Sequence, residues 1–329
     1  MRAFRATDEV PADFAPSAVT IGNFDGVHAG HREILQRVAS IARERGLAPV
    51  VLTFDPHPAR VLAPDRAPKL ITTIGQRLRR MESEGVQAAL LLPFSMDLAR
   101  LSPEEFARSV LASTLRARVV IVGDDFRFGQ KQAGDLATLR TLGRQLGFDV
   151  ESAGSILRRG ERISSTAIRK LVEAGLVSRA CRMLGEPFAL EGAVVPGRGI
   201  GGKQTVPTLN LAPENELLPG TGVYVTRTVD PDSNTHWRSV TNVGYRPTFD
   251  GRDLTVETFL LDPLTGTPPR RIEVSFLCFI RDERKFDTPE LLRAQIVKDV
   301  AFANRLHARL AGRGGRPRLR TTTRSGESS

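Results

Sequence analysis

Aromatic residues are scarce in this chain, and the shortage narrows its function before any motif is read. The 329 residues include one Trp and two Tyr, and aromatics make up 6% of the whole. Proteins that read single-stranded nucleic acid interleave aromatic platforms with basic residues. No such interleaving occurs here, so nucleic acid is disfavoured as a partner despite a net charge of +10. Cysteine is almost absent too. Cys181 and Cys278 stand far apart with no CxxC spacing, which argues against a disulfide framework and fits a reduced, cytoplasmic protein. No apolar run approaches the roughly 18 residues of a membrane span, so no membrane partner is expected. The basic-then-apolar pattern of a signal peptide is missing from the N-terminus.

What is present suits an enzyme that handles several phosphates. Part of the positive charge is local: Arg313, Arg316, Arg318, Arg320 and Arg324 face one acid, Glu327. The stretch 312–329 is almost free of apolar residues and reads as a disordered basic tail. The length exceeds what one core usually serves, so two domains are expected.

From 18 to about 152, strand-like runs (19–21, 49–54, 88–92, 119–122, 148–151) alternate with helical patterns (31–45, 75–84, 103–115, 135–146). Such alternation predicts a parallel sheet with helices on both faces, an α/β fold of Rossmann-like type. Around 184–190 the character changes. Short β-rich runs at 189–195, 222–228, 238–243, 255–261 and 272–280 are separated by Gly, Pro and Asn turns, as in a small antiparallel barrel or sandwich. A last helix from Thr288 to about Leu310 carries the stripe Leu292, Ile296, Val300, Ala303, Leu306 and Leu310, expected to pack on the barrel. The expected division is therefore 1–184, 185–311 and the tail 312–329.

Ligands of parallel α/β sheets sit beyond the carboxyl ends of the strands, and the chemical residues fall there. The first run passes into Gly22-Asn-Phe-Asp-Gly-Val-His-Ala-Gly-His31. A strand, a glycine turn and a helix start aim backbone N–H groups at a small anion. His28 and His31, three apart, can face one side of the first helical turn as donors to phosphate. The second run ends in Phe54-Asp-Pro-His57, and the fourth in Gly123-Asp-Asp-Phe-Arg-Phe-Gly129, with Asp125 and Phe126. Ser164, Ser165 and Thr166 open a short helix with Arg169 one turn in. Three hydroxyls and an arginine exceed what a cap needs and suit a second phosphate grip.

Residues 197–203, Gly-Arg-Gly-Ile-Gly-Gly-Lys, satisfy GxGxxG and nearly a P-loop. Both motifs need a helix directly after them, whereas Gln204-Thr-Val-Pro207 is extended. Both readings are rejected. A glycine flap remains, with Gly197, Gly199 and Lys203 as phosphate contacts, followed by Pro207-Thr-Leu-Asn210. In the run 255–261, alternation puts Glu257 on one face with Phe259 and Leu261. An acid among apolar neighbours on its own face is a candidate base.

Taken together these motifs resemble the bacterial bifunctional riboflavin kinase/FAD synthetase family over roughly 17–305. The first stretch resembles the HxGH signature of nucleotidyltransferases. Pro207-Thr-x-Asn210 resembles the PTxN motif of riboflavin kinases, and Glu257 before Leu260-Leu-Asp262 resembles their catalytic strand. Asn242 in Asn242-Val-Gly-Tyr-Arg-Pro-Thr-Phe249, and Arg281-x-Glu283-x-Lys285-Phe286, extend the likeness. The resemblance implies two reactions. Riboflavin and ATP would give FMN in the C-terminal domain, with Glu257 as base, Thr208 and Asn210 at Mg²⁺ and Asn242 at the nucleotide. FMN and a second ATP would give FAD in the N-terminal domain. There His28 and His31 would serve the transfer, Gly22, Asn23 and Asp25 would shape the nucleotide loop, and Phe54, Asp55, Pro56, His57, Asp125 and Phe126 would line the flavin side. Two alternatives stay open: a nucleotidyltransferase for another acceptor with a non-catalytic barrel, and a basic RNA-binding protein.

Overall fold

The computed structural model describes residues 1–154, 157–158, 161–196, 208–248 and 251–312, the side chains of 157–158, 161–162, 246–248 and 251–253 excepted. Gly197, Gly199 and Lys203, and all of the expected tail except Gly312, lie outside the described residues. The chain divides into two compact units, Met1–Ser164 and Ser165–Ser329.

The first unit holds strands β1 (Arg2–Phe4), β2 (Ser17–Ile21), β3 (Ala48–Phe54), β4 (Ala88–Leu92), β5 (Ala117–Val122) and β6 (Asp149–Ser152). They form one sheet in the order β1-β4-β3-β2-β5-β6, parallel throughout. Its helices are α1 (Ala29–Arg45), α2 (Pro58–Leu62), α3 (Ile74–Ser83), α4 (Met96–Arg100), α5 (Pro103–Phe106), and α6 (Leu136–Leu146). The expected sheet is found, and β1 is an addition: three residues extending the edge beyond β4. The expected helix 103–115 begins as α5, with Ser102 and Glu105 forming a capping box, and continues over Ala107–Thr114 in the wider π geometry.

Both faces are covered, as the alternation requires. Val38, Ile41 and Ala42 of α1 pack on Ala18, Val119 and Ile121, and Leu35 and Met81 pack on Val51. On the opposite face Phe106, Val110, Leu139 and Leu142 pack on Val19, Leu52, Val120 and Val122. The strand order reverses direction between β2 and β5, and at such a switch point a crevice opens beyond the strand ends.

After β7 (Leu157–Arg158) and β8 (Glu161–Arg162), the second unit opens with α7 (Ser165–Glu173) and α8 (Val177–Leu184). Then come β9 (Phe188–Val195), β10 (Thr208–Pro213), β11 (Gly222–Asp230), β12 (Thr235–Thr248), β13 (Gly251–Leu260), β14 (Arg271–Arg281) and α9 (Pro289–Ala311). The six strands close into an antiparallel barrel in the order β10-β13-β12-β11-β14-β9. Its interior carries an unusual seam. The hydroxyls of Thr228, Ser239, Thr226, Thr241 and Thr258 are fully buried and joined in sequence at 2.8, 2.8, 2.7 and 3.1 Å. Buried polar groups persist only when bonded, and here they satisfy one another. The single Trp, Trp237 of β12, is buried and donates its indole N–H to the Pro263 carbonyl at 3.3 Å.

Residues of the opposite parity face outward. Among them Val223, Val225 and Val240 pack with Ala303, Phe302, Leu306 and Leu310 of α9. The expected stripe of that helix is thus seated only over its C-terminal half. Leu292 is 40% exposed and Leu291 53%, because the half-turns before Asp299 serve a polar contact instead: Asp299 is buried and receives Arg281 Nη2 at 2.9 Å.

Candidate active site

Beyond β2 the chain makes a turn that few sequences would tolerate. Phe24, Gly26 and Val27 have φ of 48°, 82° and 41°, and a β-branched residue in that region is strained. The turn is held from below. Asp25, 2% exposed, accepts from the Ile71 N–H at 3.0 Å, the Thr72 N–H at 3.2 Å and the Thr72 hydroxyl at 3.2 Å. Thr72 Oγ1 accepts in turn from the Gly26 N–H at 3.1 Å, and Arg80 Nη1 donates to the Gly26 carbonyl at 3.0 Å. Arg77, 1% exposed, lies 4.0 Å from Asp25 Oδ1. Asp25 therefore shapes the loop from inside. Thr53 Oγ1 donates to the Asn23 carbonyl at 3.1 Å, and the Gly22 N–H continues the sheet to Leu52 O at 3.1 Å.

His28 caps α1, its Nδ1 accepting from the His31 N–H at 3.3 Å. The two imidazoles stack with centroids 3.6 Å apart and 11° between planes, and Phe24 closes the other side of His31 at 5.0 Å. The spacing of three thus does put both rings on one side of the first turn. They are not standing cations. Burial lowers the His28 pKa to about 4, and burial, His28 and Arg77 hold that of His31 well below the usual histidine range. An incoming phosphate dianion would offset both effects.

The loops after β3 and β5 flank the same strand ends. Phe54 meets Phe94 edge-on at 5.5 Å, Asp55 donates its N–H to Leu92 O, Pro56 is exposed, and His57 caps α2 by accepting from the Ala59 N–H at 3.1 Å. Asp125 is exposed beyond β5, and Phe126 stacks on Phe128 at 5.4 Å. Ser164 ends the first unit, whereas Ser165, Thr166 and Arg169 belong to α7 in the second. Sequence reasoning missed Arg77 and Arg80, which read as ordinary surface cations of a helix.

In the second unit the candidates meet by strand register. Glu257 of β13 pairs directly with Asn210 of β10 on one side and Asn242 of β12 on the other. Opposed residues project to one face with Cβ atoms about 4.5–5.5 Å apart. Their next neighbours Thr258 and Thr241 face the barrel interior, so the row Asn210–Glu257–Asn242 lies on the outside. Thr208, two residues before Asn210, shares that face beside Phe259. Leu261, just past the end of β13, packs with the outward-facing Val223, Val225 and Val240, on the face where it is expected. That β10 is a strand at all escaped the sequence reading. Its register is what brings Thr208 and Asn210 to Glu257.

A hydroxyl, an amide oxygen and a carboxylate together form an all-oxygen set that fits Mg²⁺. Among the described residues no group of three or more His, Cys, Asp or Glu could hold a metal by itself. No helix among them is long and apolar enough to cross a membrane.

A neutral histidine pair over a helix start, and an acid set between amides on a barrel face, mark a transferase of phosphate-bearing groups with two separate centres. Comparison with known proteins makes this specific. The FAD synthetase family model matches residues 10–167 and the riboflavin kinase family model matches residues 184–307. The bifunctional riboflavin kinase/FMN adenylyltransferase of Escherichia coli K12 is 37% identical over 87% of this chain and 91% of its own length. That of Pseudomonas fluorescens is 36% identical over 95% and 100%. A solved structure described as a macrolide-efflux protein from Streptococcus pneumoniae superposes with a TM-score of 0.81, at 28% identity over 92% of this chain and 98% of that one. The chain belongs to the bifunctional riboflavin kinase/FMN adenylyltransferase family.

Proposed function

We propose that the barrel phosphorylates riboflavin and that the loops at the parallel-sheet switch point adenylylate the product. The observation that carries the first half is the row Asn210–Glu257–Asn242. Glu257 takes the proton of the ribityl 5′-hydroxyl as its oxygen attacks the γ-phosphorus of ATP, and ADP leaves. Thr208 and Asn210 would hold Mg²⁺, with Asn242 beside the nucleotide. The ion, when bound, draws off charge developing on the phosphate oxygens. The kinase spans 185–311, with Gly197, Gly199 and Lys203 as its further phosphate contacts. A cytoplasmic location suits substrates of this kind.

In the second reaction an oxygen of the FMN phosphate attacks the α-phosphorus of another ATP, and pyrophosphate departs. The nucleophile is already charged, so no base is required. His28 and His31 donate to the α-phosphate oxygens as charge accumulates there, and the N–H groups at the start of α1 add to them. Gly22 and Asn23 border the nucleotide on the turn that Asp25 fixes. Phe54, Asp55, Pro56, His57, Asp125 and Phe126 offer the flavin side.

The test is flavin chromatography after incubating the full chain with riboflavin, ATP and Mg²⁺. Wild type yields FMN and FAD, Glu257→Ala yields neither, and His31→Ala yields FMN alone. FAD formation restored to Glu257→Ala by added FMN completes the assignment. FMN production that survives Glu257→Ala would overturn it.

A further inference from the structure

On the outer face of the barrel, one glycine makes room for a carboxylate that the two reactions have not used. Gly244 of β12 follows Asn242 by two residues and shares its face. A Cβ built on Gly244 would stand 2.1 Å from Glu283 Oε1 and 2.6 Å from its Cδ. The Glu283 carboxylate therefore lies directly on the strand, in the space a side chain would fill. Gly244 pairs with Thr255, and Glu257 is the diagonal neighbour on β13. Diagonal positions of an antiparallel pair are about 7–8 Å apart, within the length of a short polyol.

The two arginines that flank Glu283 in sequence are engaged elsewhere. Arg281 is bound to buried Asp299 at 2.9 and 3.0 Å, Arg284 donates to Gln295 at 2.5 Å, and the Arg284 guanidinium stands 4.7 Å over the Phe286 ring. Both nearby arginines are thus tied to α9 or stacked, and Glu283 forms no ion pair or hydrogen bond among the described residues. A carboxylate seated against the strand and unspent on its described neighbours is a ready acceptor for hydroxyl groups.

We infer that Glu283, seated on Gly244, accepts hydrogen bonds from the inner hydroxyls of the ribityl chain and so selects a polyol whose terminal hydroxyl reaches Glu257. This rests on the kinase reading of the barrel.

The experiment measures FMN-type product from riboflavin and from a flavin bearing a 5-hydroxypentyl chain, which keeps the terminal hydroxyl and lacks the inner ones. The full chain is used with Mg²⁺ and ATP, as wild type, Glu283→Gln, Gly244→Ala and the double variant. Glu283→Gln and Gly244→Ala each lower kcat/KM for riboflavin by about 10–100-fold, the range of a charge-assisted hydrogen bond. They leave the hydroxypentyl flavin and the KM for ATP within about twofold, a smaller change than such a bond gives. Because Gly244→Ala acts by displacing Glu283, the double variant is no worse than Glu283→Gln. Equal losses on both flavins, a shift in the KM for ATP, or additive losses in the double variant would each overturn the inference. A wild type that makes no FMN would instead overturn the kinase reading.

Discussion

The first unit hangs its chemistry on loops, whereas the second lays it flat on a sheet. Beyond β2 a strained turn is held in shape by residues 46 to 54 positions later: Ile71, Thr72 and Arg80 all bind it. On the barrel nothing of the kind is needed, because pairing alone sets Asn210, Glu257 and Asn242 side by side. A clamped loop can be tuned through its supports. A registered row is rigid, and it fails only if the strands slip or the row itself changes.

Changing the row should give the largest single effect. Glu257→Gln keeps the shape and removes the base, so riboflavin phosphorylation is expected to fall by about 10²–10⁴-fold. FAD formation from supplied FMN stays unchanged, measured by chromatography with each flavin in turn. The clamp answers differently. Asp25→Ala removes the acceptor of three buried donors, the Ile71 N–H, the Thr72 N–H and the Thr72 hydroxyl, at a cost of about 3–5 kcal/mol for the three together. Urea unfolding followed by circular dichroism should show the first unit weakened, with adenylylation lost and phosphorylation kept. Loss of both reactions would show that the two designs are less separable than their geometry suggests.

Acid should also distinguish them. The folded-state pKa of His28 is about 4, below the unfolded value of 6.5, so the unfolded chain takes up the proton first. The contribution of this residue is complete above pH 6.5 and is lost as pH falls toward 4, about 3 kcal/mol in all. His31 acts in the same direction. Unfolding of the first unit compared at pH 7.5 and 4.5 should show this loss, and His28→Gln should flatten it. The smallest effect belongs to the barrel interior. Thr226→Val breaks two links of the hydroxyl seam, at about 1–3 kcal/mol for the hydroxyls left unpaired.

Legibility followed the same divide. Periodicity found five of the six parallel strands and both faces of helices, because buried β-branched runs and amphipathic helices advertise themselves. It missed β1, whose three residues are too short to show a period. It missed β10 as a strand because Thr208–Pro213 follows a glycine-rich run and ends in proline, both signals of a loop. The resemblance of their motifs to riboflavin kinases suggested Glu257, Thr208 and Asn210, but only the register of β10 unites them. Arg77 was hidden for a different reason. An arginine on an amphipathic helix looks solvated, and nothing local marks its burial beside Asp25, more than 50 residues earlier.

The lone indole has a practical consequence. Since Trp237 is the only Trp in the chain and lies buried in β12, tryptophan emission reports on the barrel unit alone. A red shift of that emission on unfolding, set against the ellipticity of both units, would read two melting events from one unlabelled sample. Trp237 lies on β12, the strand that supplies Asn242 and pairs with the strand of Glu257, and flavin arriving at that row would quench its emission.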